Sequence, residues 1–441
     1  MRFKGHVVRN GAVRLSEKVR LRAEYFGGIV FHKDTGDILE VDHEAFMLLL
    51  WLRENGHVEL KQLRHYDLNP ILPALITMSF IEYLPDGDTK SSLSTIPLLI
   101  NTPLKANPLD KKSLSAPETA HLAVTYKCDE SCPDCYSRRH ASPSGYELDT
   151  SDMCKVIDTV ADNNIFQLAI GGGEPFARHD LADITGHARD RGLVIHLTTG
   201  QYSMKYRWAE VLRHIKSLHI GIRSEELVND SGAVTQLREI VGSARSEGFG
   251  VGANLIMTRF TIANIDTIME LLSSCEFDRL IFLRYKPIDD RIRWNNENPC
   301  ADELTLFQDR ISRAKQQNPR LMLRVDCAAA FLMRDVDPVV AKRSGLRGCT
   351  AGERIISIAP DGTVYPCSQL VGDSFRAGNL MSDPFETIWQ NSGILNKLRD
   401  FRQTPSFADS ACGKCYANAL CGGCRVFLPD STGGETVCPI A

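Results

Sequence analysis

The sequence predicts an α/β protein: a partial (β/α)6 TIM barrel, flanked by an amino-terminal winged-helix-like module and a carboxy-terminal cysteine-rich module. Three observations predict it. Short apolar segments alternate six times with amphipathic ones through the middle of the chain, which argues a parallel sheet with crossover helices. Pro85, Pro97, Pro103, Pro108 and Pro117 break every periodicity in between and mark a connector. After Cys349 the alternation gives way to short strands, turns and cysteine pairs.

Taken in order, residues 1–88 form the first module. Val19 to Leu39 reads as strands around a turn, and Asp42 caps a helix over His43 to Glu54 that stops at Asn55-Gly56. Short helices follow around Leu60 to Tyr66 and Ile71 to Met78, then a strand at Phe80 to Leu84. Residues 89–117 are the linker and 118–310 the barrel. Its strands are His121–Tyr126, Ile165–Ile170, Leu193–Thr198, Leu218–Ile222, Val251–Ile256 and Leu280–Tyr285, two short of the eight in a closed barrel. Residues 311–345 bridge to a last module at 346–441.

Composition excludes several function classes. At 441 residues, with 43% hydrophobic and 24% charged, the chain has ordinary globular composition. Its 51 basic and 55 acidic side chains argue against a nucleic-acid partner held by bulk charge. Met1 to Asn10 holds no signal-peptide core, and the longest apolar run, Ala45 to Leu52, is too short to cross a bilayer. A cytoplasmic protein with no membrane partner is expected. In a reducing compartment, 14 cysteines that fall in tight groups read as metal ligands or redox groups rather than disulfides.

The first group, Cys128, Cys132 and Cys135, is a C-x3-C-x2-C loop directly after the first barrel strand. Barrel chemistry gathers at the carboxyl ends of strands, and three thiolates there hold three irons of a cubane while leaving the fourth open. A zinc knuckle is the alternative, but zinc wants four ligands and usually draws them as two pairs. The second strand ends in Gly171-Gly172-Gly173-Glu174-Pro175, where glycines let backbone approach a ligand and a carboxylate accepts from an ammonium.

These residues resemble the radical S-adenosylmethionine (SAM) superfamily. The resemblance implies a [4Fe-4S] cluster on Cys128, Cys132 and Cys135, with SAM chelating the open iron. Gly172, Gly173 and Glu174 would hold the SAM amino end, and Thr198-Thr199-Gly200 is similar to the polar turn lining the SAM pocket, which makes Thr199 a further candidate. Two departures stand out. Asp134 occupies the place of a usual aromatic before the third cysteine, and the fourth strand ends in Gly221-Ile222-Arg223-Ser224 rather than a serine turn of the common kind.

The second group runs Cys349-x12-Gly362-x4-Cys367, then Cys412-x2-Cys415-x5-Cys421-x2-Cys424, then Cys438. It resembles the SPASM extension of radical SAM peptide-modifying enzymes, with Gly422-Gly423 one residue shorter than the usual last gap; paired zinc ribbons are the alternative. The resemblance implies two auxiliary [4Fe-4S] clusters, one on Cys349, Cys367 and Cys424 and one on Cys412, Cys415, Cys421 and Cys438. Cys327 is the candidate fourth ligand of the former; otherwise that iron is open. Cys154 and Cys275 read as core residues, and Cys300 has no assigned role.

Leu21 to Phe31 resembles the precursor-peptide recognition element, similar to the small pyrroloquinoline-quinone chaperone PqqD, that is fused to such maturases. It implies a leader peptide bound by strand addition. The whole resemblance implies an oxidoreductase that cleaves SAM reductively to a 5′-deoxyadenosyl radical and abstracts hydrogen from a ribosomally made precursor peptide, installing a crosslink or thioether. A flavodoxin or ferredoxin would supply the low-potential electron. Maturation of a folded protein or a tetrapyrrole, or iron-sulfur redox sensing on DNA, are the competing readings. No catalytic base is identified; Asp326, Glu353 and Asp361 are candidates by position.

Overall fold

The computed structural model describes residues 2–3, 6–7, 11–60, 71–84, 113–128, 132–137, 145–200, 205–288, 290–333 and 348–427. The chain divides into two compact units, Met1–Ser115 and Ala116–Ala441. The expected helix at Leu60 to Tyr66 and most of the expected linker lie outside the described residues.

The first unit holds strands β1 (Ala12–Leu15), β2 (Val19–Glu24), β3 (Gly27–His32) and β4 (Ile38–Asp42), helix α1 (His43–Asn55), β5 (His57–Glu59), α2 (Leu72–Thr77) and β6 (Ile81–Leu84). Two three-stranded sheets result, ordered β5-β1-β6 and β2-β3-β4. Helix α1 starts where Asp42 accepts from the Ala45 amide (2.9 Å) and stops at Gly56, whose φ of +87° suits the left-handed cap. Its Ala45, Phe46, Leu49 and Leu52 are buried, and Phe46 lies so close over β3 that a Cβ on Gly28 would sit 2.0 Å from its ring. Burying a phenylalanine side chain contributes about 2 kcal/mol here. Within β2, the buried Arg22–Glu24 pair (2.7 Å) is completed by Ser115, whose amide and hydroxyl both donate to Glu24.

The second unit contains all six expected barrel strands and their crossover helices. They are β7 (Thr119–Thr125), α3 (Thr150–Asp162), β8 (Gln167–Gly172), α4 (Leu181–Asp190), β9 (Val194–Thr199), α5 (Lys205–Leu212), β10 (Ser217–Ile222), α6 (Ser224–Asn229), α7 (Ser231–Ser246), β11 (Gly250–Met257), α8 (Arg259–Ala263), α9 (Ile265–Ser273) and β12 (Arg279–Arg284). Beyond them come α10 (Arg291–Glu297), α11 (Ala301–Gln317) and a seventh parallel strand, β13 (Met322–Val325), which pairs with β12. Met322 and Arg324 are exposed on this edge strand, and its apolar stretch Leu321 to Val325 is only five residues long.

β14 (Ile355–Ile358) adds in parallel to the other side of β7, and β15 (Thr363–Tyr365) and β16 (Gly378–Asn379) continue antiparallel. The cysteine-rich segment therefore grows from the barrel's own sheet, in the order β13-β12-β11-β10-β9-β8-β7-β14-β15-β16. A buried Glu118–Arg354 ion pair ties the start of β7 to the start of β14. Cys275 is buried as expected, Cys154 is half-buried, and Cys300 is the exposed N-cap of α11. Among the described residues no helix is long and apolar enough to cross a membrane.

Candidate active site

The end of β7 is braced before the first cysteine. Glu147 accepts from the Thr125 hydroxyl (2.8 Å) and the Tyr126 amide (2.9 Å), while Arg178 donates to the Val124 and Leu148 carbonyls (3.0 Å each) and pairs with Asp180. Cys128 then emerges exposed, and Cys132 and Cys135 follow half-buried. Their turn is closed by the Cys135 amide donating to the Cys132 carbonyl (3.3 Å), and Ser137 lies 3.2 Å from the Cys135 sulfur. Residues 129–131 are outside the described set.

The glycine turn packs directly on this segment. The amides of Gly173 and Glu174 donate to the Thr125 and Lys127 carbonyls (2.8 and 2.9 Å), and β7 and β8 shift register at Gly171/Gly172. Gly172 has φ +114°, and a Cβ there would lie 2.4 Å from the Thr125 carbonyl oxygen. Glu174, 1% exposed, accepts from the Thr199 hydroxyl (2.9 Å), the Gly200 amide (2.9 Å) and the Phe176 amide (3.0 Å). At least three of the carboxylate's roughly four acceptor sites are thereby used within the protein. Glu174 and Thr199 thus form one unit that locks the second strand end to the third.

Asp134, the residue that departs from the aromatic pattern, is held from across the mouth. Tyr285, just after β12, donates its hydroxyl to Asp134 (2.8 Å), and Arg293 on α10 grips both carboxylate oxygens (2.7 and 3.0 Å) while also reaching Glu225 on α6 (3.0 Å). Replacing Arg293 with methionine is expected to leave Asp134 part-buried with one of its two partners. Losing one partner of such a pair costs about 1–3 kcal/mol, so SAM affinity measured by equilibrium dialysis should fall about tenfold or more, with Arg293→Lys intermediate. Unchanged affinity would mean that the pair only decorates the loop.

The carboxy-terminal cysteines gather beside the same mouth. Cys424 packs with Tyr285, Ile288, Trp294, Ala328 and Phe427, and Cys349 and Cys367 pack around Ala351, Leu370 and Leu398. Cys327 has an open surface yet is densely surrounded. That desolvation, followed by the nearby charges of Asp326, Cys349, Cys424 and Cys367, pushes its thiol pKa well up. Burial and then Cys349 push Cys367 up to about 11. Thiols crowded this way resist ionising on their own, and coordinated metal reverses that cost. Lys286 joins them: burial alone would lower its pKa, but Asp326 at 2.5 Å, with Cys424 and Cys327, outweighs burial and keeps it protonated.

The two cysteine segments are drawn together where the Gly348 amide donates to the Leu420 carbonyl (2.8 Å); a Cβ on Gly348 would sit 1.8 Å from the Cys421 carbonyl oxygen. Backbone amides of Gln369, Ala417 and Gly423 donate to the sulfurs of Cys367, Cys415 and Cys421, each at 3.4 Å. Such bonds favour thiolate and tune iron-sulfur potentials. Cys412 is buried beside Phe401 and Phe407, and Cys438 lies outside the described residues. Among the described residues no three His, Cys, Asp or Glu side chains converge closely enough for one metal ion. The mutual proximity of Cys327, Cys349, Cys367 and Cys424, all soft thiolate donors, fits an iron-sulfur cluster.

Comparison with known proteins agrees. Residues 122–272 match the radical SAM superfamily, and residues 349–416 match the SPASM iron-sulfur cluster-binding domain. The chain carries a radical SAM domain and a SPASM domain. It is an enzyme of SAM and iron-sulfur chemistry. Among its relatives, mycofactocin maturase MftC of Mycobacterium tuberculosis is 26% identical over 326 residues, 71% of this chain and 80% of that protein. AdoMet-dependent heme synthase of Methanosarcina barkeri is 25% identical over 344 residues, 72% and 94%. In fold the chain is similar to Streptococcus suis SuiB. The SAM-bound structure has TM-score 0.70 and 17% identity over 97% of this chain and 99% of SuiB; the structure bound to precursor peptide SuiA has TM-score 0.69 and 16% identity over the same shares.

Of the base candidates, Asp326 is held by Lys286 and the Arg284 amide, Asp361 closes the turn to Thr363, and Glu353 is exposed near Arg399 and Arg402. Arg293, Tyr285 and Lys286 were not singled out from the sequence. The one local signal for the latter two was their place at the carboxyl end of the sixth strand, where barrel chemistry gathers.

Proposed function

We propose that the chain matures a ribosomally made precursor peptide, with residues 1–88 recognising the leader, 118–310 forming the SAM-binding core and 346–441 carrying the auxiliary clusters. The observation that carries this reading is the fold likeness to SuiB, which spans 97% of the chain where MftC and heme synthase match 71% and 72% of it. SuiB has been determined with precursor peptide bound, and a likeness over 97% of the chain includes the amino-terminal unit, to which this reading gives the part of a PqqD-like recognition element. A tetrapyrrole substrate is the second reading, favoured by the heme synthase relative. It gives that amino-terminal unit no task.

In this reading Cys128, Cys132 and Cys135 hold the SAM-binding cluster, and the Gly172–Gly173 backbone, oriented by the Glu174–Thr199 lock, receives the SAM amino end. Cys349, Cys367, Cys424 and Cys327 hold one auxiliary cluster, and Cys412, Cys415, Cys421 and Cys438 the other, three clusters in all. When bound, the cluster and SAM supply a 5′-deoxyadenosyl radical, using an electron from a flavodoxin or ferredoxin. The protein's part is to hold the peptide against the mouth, exclude water there, and keep Asp326 paired with the Lys286 ammonium until a proton must move.

Co-expression with the peptide encoded by the nearest short reading frame, followed by mass spectrometry, tests the function. Loss of two hydrogens supports a crosslink or thioether; an unmodified peptide and a modified tetrapyrrole would overturn it. Cys327→Ser tests the ligand set. The first auxiliary cluster should lose iron at least about as readily as when an outer-shell partner is removed, roughly tenfold, and change its electron paramagnetic resonance spectrum. An unchanged spectrum would mean that this iron is open.

A further inference from the structure

The seven parallel strands β7 to β13 contain no aspartate and no glutamate. Of their basic residues His121, His196, His219, Arg279 and Arg324 share one face and Arg284 lies on the other. The faces alternate, with Leu197, Leu218, Ile220, Leu255 and Leu280 buried on the helix side. On the other face His196 pairs in register with Ser217, His219 with Gly252, Gly252 with Arg279, and Ile281 with Arg324, so four cationic or donor side chains form one belt across β9 to β13. Asn254 joins it through His219 Nδ1 (3.2 Å), and His196 Nδ1 lies 2.7 Å from the Ser217 hydroxyl.

The belt is packed tightly at Gly252, where a Cβ would meet Arg279 Cγ at 2.7 Å and the His219 ring at 2.9 Å. Arg279 Nε is buried with no hydrogen-bond partner, and Arg324 is exposed on the same face. Asp278, the acid beside Arg279 among the described residues, is already committed to Arg245 (2.9 Å) and the Val251 amide (2.7 Å). Arg279 thus lies near the foot of β11, Arg324 is exposed to solvent, and the described strand residues offer neither guanidinium a carboxylate. Burial lowers the pKa of His196 and of His219 to about 4, so at neutral pH these rings stand as neutral hydrogen-bonding groups beside the arginines.

We infer that this belt is a subsite for a carboxylate of the bound peptide. The inference rests on the peptide reading above and names the chemistry that the peptide must bring. Arg279 is the first residue of β12 and lies five residues before its end at Arg284, so a carboxylate on it sits about 17 Å below the strand ends. An extended peptide covers that distance with about five residues. The modified carbon is therefore separated by about five residues from an acidic side chain or from the peptide's own carboxyl terminus.

Equilibrium dialysis with the anaerobically reconstituted full chain and SAM tests this without turnover, so failure here and failure to cleave SAM are separate results. The probes are N-acetylglutamate α-amide against N-acetylglutamine α-amide, N-acetylglycine against N-acetylglycinamide, and inorganic phosphate. Each acid should bind at least about tenfold tighter than its amide, about 1.4 kcal/mol. The tighter of the two acids tells a side-chain source from a terminal one. Arg279→Gln and Arg324→Gln, with iron content and melting temperature equal to wild type, should each erase the preference, and Arg279→Lys should restore part of it. Equal binding of acids and amides, a preference that survives both glutamine variants, or phosphate binding tighter than either acid would overturn the inference.

Discussion

Cys132→Ala protein is expected to retain its fold, to bind substantially less iron, and to cleave SAM at least ~10³-fold more slowly than wild type, because the cofactor carries the chemistry and the side chain has no substitute. Cys132 sits in a turn whose closing bond is backbone to backbone, from the Cys135 amide to the Cys132 carbonyl. Removing its sulfur leaves that closing bond in place. Glu147, Arg178 and Asp180, which fix the preceding residues, are likewise untouched. A cavity the size of one thiol at a half-buried position costs little stability. Loss of SAM cleavage without loss of melting temperature is the signature of a ligand, and equal loss of both would indicate a packing role instead.

Gly173→Ala should do the reverse damage, to architecture first. The added Cβ would lie 2.3 Å from the Lys127 carbonyl oxygen, which is backbone and cannot rotate away. The Gly173 and Glu174 amides bond the same segment, so any retreat breaks the two hydrogen bonds that hold the glycine turn against the residues leading to Cys128. Overpacking of this kind costs about 3 kcal/mol, and the melting temperature should fall by roughly 5 °C. Because that segment carries the first cysteine, SAM affinity should fall as well. Calorimetry together with SAM dialysis checks both, and an alanine variant that melts with wild type would contradict the close approach.

What the sequence made legible was whatever repeats locally. Cysteine spacing, the glycine run at 171–173 and six alternating strands are each local; the strands are all present, and the radical SAM and SPASM matches fall on the segments that the cysteines marked. The capping of α1 by Asp42 was readable for the same reason. Long-range pairings were not. Asp134 was visible as a departure, but its partner Arg293 is 159 residues away on a helix with no motif, and nothing local joins them. β13 was missed because the alternation of Leu321, Leu323 and Val325 spans too few residues to stand out beyond α11. The belt of His196, His219, Arg279 and Arg324 is invisible until register places four separate strands side by side.

The central claim is that three cysteines on one strand end, a glycine turn on the next and a cysteine-rich tail make a SAM-cleaving enzyme. It is tested most directly by reducing anaerobically reconstituted wild-type protein in the presence of SAM and quantifying the products. The account predicts 5′-deoxyadenosine and methionine in equal amounts, formed only with reductant. Absence of 5′-deoxyadenosine from fully iron-loaded protein, or its formation at the wild-type rate by Cys128→Ala protein, would contradict it.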